Sequence, residues 1–128
     1  MRLTAFVLLL SLLFSGCSKT EEKREVLPVE GKWTLLYFSS GSDQEIFNKD
    51  EIIWEFNKYD ELIVTINIVL PPDSQLPIKQ SGTYPYVASK KVISIEGTQY
   101  AVQRTDNVLI LDHNSAAGGT RLQFELTE

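Results

Sequence analysis

Apolar positions fall into two regimes along the chain. Ala5 to Phe14 form one apolar run broken only by Ser11. From Gly31 onward, apolar and polar positions alternate with a period of two, which predicts half-buried strands rather than helices. Trp33, Leu35 and Tyr37 share a face of a first strand, and Ile52, Trp54 and Phe56 share one on a second. Leu62, Val64, Ile66, Ile68 and Leu70 make the longest alternation, a third strand. Tyr84 with Tyr86, Ile93 with Ile95, Tyr100 with Val102, and Leu109 with Leu111 mark four more. Leu122, Phe124 and Leu126 alternate with Arg121, Gln123 and Glu125 on an eighth.

The links between these strands carry turn chemistry. Asn57-Lys58-Tyr59-Asp60, Lys90-Lys91, Glu96-Gly97-Thr98 and Thr105-Asp106-Asn107 are short and polar. Short links favour antiparallel neighbours, because parallel pairs need long crossovers. Three links are longer: Ser39–Asp50, with a helical turn expected around Asp43–Asn48; Pro71–Gln80, with three prolines; and His113–Gly119. Eight strands with one apolar face must close or stack. The expected fold is all-β, an eight-stranded antiparallel up-and-down barrel over residues 29–128, with a two-sheet sandwich as the alternative. Phe47-Asn48-Lys49-Asp50-Glu51 and Phe56-Asn57-Lys58-Tyr59-Asp60-Glu61 read as one turn-into-strand solution used twice.

The first apolar run is about half the roughly 20 residues a membrane span needs. Arg2 precedes it and Ser15-Gly16-Cys17 follow. That is the layout of a secretory signal. Phe14-Ser15-Gly16-Cys17 resembles the lipobox of bacterial lipoproteins, with Phe14 in place of the commoner Leu. The resemblance implies that residues 1–16 are a signal peptide and that Cys17 becomes a diacylglycerol-modified N-terminus. Residues 17–28 are then the lipidated cysteine and a tether. Eleven flexible residues reach on the order of 20 Å. Ser18 after the cysteine resembles the outer-membrane sorting pattern, and Lys19-Thr20-Glu21-Glu22 is similar to the acidic surface-export signals of Bacteroidota lipoproteins or is a solvated linker.

Gly31-Lys32-Trp33 at the start of the first strand resembles the Gly-x-Trp signature of lipocalins. Trp54-x-Phe56, Ser81-Gly82-Thr83-Tyr84 and Arg121-Leu122-x-Phe124 are similar to small lipocalin-like lipoproteins of Bacteroidota. The resemblance implies that Gly31 permits a tight first turn, that Trp33 closes one end of a barrel, and that a late arginine packs on it, Arg121 before Arg104. It also implies a small hydrophobic or amphipathic ligand inside, lined by Tyr37, Trp54, Tyr84, Tyr86 and Tyr100. The competing reading is that these aromatics fill a dry core. The chain also resembles lipid-anchored periplasmic inhibitors of host lysozymes, faintly, through Ser81-Gly82-Thr83-Tyr84. That leaves an envelope interaction module or a complex accessory as the alternative function.

Composition narrows the chemistry. The 128 residues include one cysteine and one histidine, so neither an internal disulfide nor a cysteine or histidine metal cluster is expected. No cofactor is expected. The net charge is −5, and loss of residues 1–16 leaves 11 bases against 17 acids, or −6, which argues against nucleic acid. Asp112-His113 near Ser115 is the one acid–histidine pair, but adjacent strand residues face opposite sides. Asp50-Glu51 and Asp60-Glu61 lack the spacing of a calcium loop. The sequence therefore reads as a monomeric, non-enzymatic barrel attached to the membrane of a bacterial envelope, in the outer membrane, through Cys17.

Overall fold

The computed structural model describes residues 28–127. The expected signal peptide, Cys17 and the tether as far as residue 27 lie outside the described residues. Nine strands follow: β1 (Gly31–Ser40), β2 (Asp43–Ile46), β3 (Ile52–Phe56), β4 (Glu61–Ile66), β5 (Gly82–Ala88), β6 (Val92–Ile95), β7 (Thr98–Arg104), β8 (Val108–His113) and β9 (Thr120–Leu126). One 3₁₀ turn, Ser115–Ala117, sits between β8 and β9. From β3 to β9 each strand pairs antiparallel with the next, and β1 pairs with both β3 and β9. The ring is closed. It is an eight-stranded up-and-down antiparallel barrel, as expected, with β2 as an additional short strand.

The seam between first and last strands runs from Trp33 opposite Leu126 to Ser40 opposite Thr120. Beyond it the Thr127 N–H donates to the Lys32 carbonyl at 2.9 Å. Chain direction therefore defines two ends. The base holds residues 28–31, the β3–β4, β5–β6 and β7–β8 turns, and the end of β9. The rim holds the β1–β2 hairpin, the long 67–81 connection, the β6–β7 turn and the 114–119 segment.

Local chemistry explains most elements. In the β6–β7 turn, Glu96 and Gly97 both have positive φ, 50° and 79°, as a two-residue primed hairpin turn requires. Asp50 and Asp60 take left-handed conformations at φ 66° and 61°, each just before a glutamate. The two Phe-Asn-Lys segments thus do use a related turn into a strand. Gly31 has φ 135°, a region open to glycine and costly for other residues.

Three expectations change at the level of elements. Segment Asp43–Ile46 is a strand, not a helical turn; it folds back on β1 through Gly41 at φ 62°. The long alternation ends at Ile66, because the Asn67 N–H turns to the Glu51 carbonyl and prolines follow. Ile68 and Leu70 still pack partly buried against the core. Finally, β1 contains a bulge between Leu35 and Tyr37. The extra residue shifts the inward phase, so Trp33, Leu35 and Phe38 are fully buried while Tyr37 is half-exposed.

Candidate functional site

The barrel interior is one apolar cluster. Trp33, Trp54, Phe38, Phe56 and Phe124 are each under 2% exposed. Trp54 meets Phe56 edge-on at 6.2 Å and Phe124 at 5.1 Å between centroids, and Phe56 meets Tyr86 at 5.1 Å. Such offset and edge contacts are the favoured aromatic geometries. These contacts join the aromatic side chains of the interior into one packed cluster.

The base is closed by the incoming chain and an arginine from β7. The Trp33 Nε1–H donates to the Val29 carbonyl at 2.9 Å, folding the incoming chain over the indole. The Arg104 guanidinium lies 4.9 Å from the Trp33 ring centroid and donates to the Pro28 carbonyl at 2.8 Å. The arginine on Trp33 is thus Arg104, not Arg121. The reason is chain direction: Arg104 ends β7 at the base, whereas Arg121 begins β9 at the rim, opposite Ser39. Arg121 instead lies 3.8 Å from Asp112, its cross-strand neighbour.

The rim is closed by the irregular connection. Leu76 and Ile78 are buried in the core cluster at 3% and 4% exposure, on either side of Pro77. A carboxylate on β2 holds the middle of this segment: Glu45 accepts from the Ser74 hydroxyl at 2.8 Å and from the Gln75 N–H at 3.0 Å. Ser74 itself is buried. A cleft of about 390 Å³ runs between the connection and the β6–β7 turn, past Ile78, Lys79, Tyr84 and Glu96. Another of about 360 Å³ lies between β2 and the connection.

The five expected lining residues divide accordingly. Trp54, Tyr86 and Tyr100 are buried in the cluster, Tyr84 packs partly buried against it, and Tyr37 is turned out by the bulge. Tyr86 donates its hydroxyl to the Asn57 carbonyl at 2.6 Å and Tyr84 to the Gln80 carbonyl at 2.7 Å. Burial pushes the Tyr100 phenol above its usual range, against a smaller opposing hydrogen bond with Thr98. The Trp54 Nε1–H alone among these groups is buried without a partner. Sequence reasoning missed Glu45, Leu76 and Ile78, and placed Arg104 second to Arg121. The available signal for Leu76 and Ile78 was an alternating apolar pair inside a proline-rich link.

A third cleft, about 480 Å³, lies at the β7–β8 wall beside Tyr100, Asp112, His113 and Ser115. The Ser115 hydroxyl and N–H, at the start of the 3₁₀ turn, both donate to Asp112. Those bonds, the hydroxyl's first, hold the Asp112 carboxyl below its usual range, with a smaller contribution from Arg121. His113 donates from Nδ1 to the Gln99 carbonyl at 2.8 Å and sets its ring 6.1 Å from Tyr100. The Ser115 hydroxyl thus bonds Asp112, and His113 bonds Gln99 through Nδ1. No group of three or more metal-ligating side chains occurs among the described residues. Comparison with family models, curated proteins and solved structures found no match to this chain.

Proposed function

We propose that this is a lipid-anchored protein of a bacterial cell envelope whose barrel takes up a small hydrophobic or amphipathic molecule at the rim. The observation that carries the reading is the asymmetry of closure. The base is sealed by Trp33 and Arg104, whereas the rim is sealed by an irregular segment that inserts Leu76 and Ile78 and is held at its middle by the Glu45 carboxylate. An apolar guest would take the place of those two side chains. The partnerless Trp54 N–H would prefer a guest bearing an oxygen acceptor, because an unmet buried donor costs about 1–3 kcal/mol. Anchoring rests on the Phe14-Ser15-Gly16-Cys17 motif.

The test is native mass spectrometry of the purified protein together with titration of tryptophan fluorescence by a panel of fatty acids and lysolipids. Co-purified lipid, or saturable quenching strengthened in E45A, is the expected result. No binding to either wild type or E45A would end the proposal. The aromatic cluster packed inside the barrel, with two tyrosine hydroxyls already engaged, favours a second reading: an interaction module that works through its surface. Stoichiometric inhibition of a lysozyme, or a discrete crosslinked partner in cells, would select that reading.

A further inference from the structure

Three of the five large apolar side chains that stand exposed among the described residues sit on one side of the base. They are Tyr59 at 70%, Val87 at 74% and Val92 at 38%. The β3–β4 turn that carries Tyr59 is tied to β5 by the Tyr86 hydroxyl on the Asn57 carbonyl and the Tyr86 N–H on the Asp60 carbonyl. Val87 is the next residue of β5, and Ser89–Lys91 link it to Val92. Lysines interleave with these groups. Lys58 sets its ammonium 5.4 Å from the Tyr59 ring, and Lys90 and Lys91 lie between the two valines. Asp60 shares the first turn, so the surface is mixed in charge but amphipathic.

The position of the chain decides what this surface meets. Pro28 is fixed at the same end by Arg104, so the residues before it leave from the base. The rim faces the other way and is on balance acidic, with Asp43, Glu45, Asp73 and Glu96 against Lys79, while Asp112 pairs with Arg121 and lines one cleft with Val92. We propose that the base side formed by Lys58, Tyr59, Val87, Lys90, Lys91 and Val92 docks on an anionic phospholipid bilayer and holds the rim away from the membrane. A tyrosine beside lysines suits the headgroup layer, where an amphipathic ring and a cation each find a partner. The inference rests on the anchoring reading, since a tether of about a dozen residues would keep this face within reach of the bilayer.

Hydrogen exchange of the full acylated chain in vesicles of phosphatidylglycerol and phosphatidylethanolamine tests it. Amides of 57–60 and 87–92 should slow roughly fivefold relative to pure phosphatidylcholine vesicles, while 67–81 stays unchanged. K58E/K90E/K91E should abolish that protection while the protein still floats with the vesicles through its acyl chains. Flotation without protection at the base, or equal protection at both ends, overturns docking. Absence of lipid mass on Cys17 overturns anchoring instead. In that event the same measurement on unacylated protein added to anionic vesicles decides docking, protection at the base upholding it and none overturning it.

Discussion

Two arginines show how position along a strand outweighs resemblance. Arg104 covers an indole and holds an incoming carbonyl, whereas Arg121 makes a half-exposed pair with Asp112. R104A should lower stability by about 2–4 kcal/mol, the sum of a cation–π contact and a charged hydrogen bond. R121A should cost less than about 1 kcal/mol, as surface pairs do. Chemical denaturation of both variants checks the order. Tyr100 gives a pH prediction. Its phenol is raised in the folded state, so the fold favours the neutral form. That stabilisation is in place below the ordinary tyrosine value of about 10 and is lost as pH rises through the folded-state value. Thermal melts should decline on the alkaline side, and Y100F should flatten the decline. Asp112 works in the opposite sense. Its lowered carboxyl stabilises above the ordinary value and ceases to do so as pH falls through the folded one.

At the scale of elements, the strands facing the core were readable because each buries alternate residues. All eight expected strands are present. Strand β2 was not readable: Asp-Gln-Glu-Ile has no alternation, and it exists because Gly41 folds it onto β1. The bulge at Leu36 was equally silent, since one inserted residue is a matter of ladder geometry and leaves composition unchanged. It displaced Tyr37 from the expected lining, while Trp54, Tyr84, Tyr86 and Tyr100 stayed with the core. The closing segment escaped notice because the carboxylate that holds its middle lies about thirty residues away in sequence. E45A removes the acceptor for two donors and should cost about 1–3 kcal/mol. Limited proteolysis should then cut within 67–81 first, with the strands intact. L76A should cost about 2–5 kcal/mol, as other buried leucine truncations do.

For the whole molecule, closure is the governing fact. The ring is completed by the β1–β9 pairing, so no stave has a free edge along its full length. The joining strands lie almost the whole domain apart in sequence. Non-local pairing of this kind folds slowly, in about milliseconds to seconds. Stopped-flow refolding monitored through Trp33 and Trp54 should give times in that range.

The seam that closes the ring also brings Pro28 and Thr127 to one end, where Thr127 is bonded to Lys32. Order along the polypeptide is therefore nearly interchangeable at this point. A circular permutant with Thr127 joined to Pro28 by a short glycine–serine linker and new termini opened between Glu96 and Gly97 should fold to the same barrel. Its circular dichroism and tryptophan emission should match the parent. Its beginning would then lie at the rim, and an acyl group attached there would bring the rim rather than the base to a membrane.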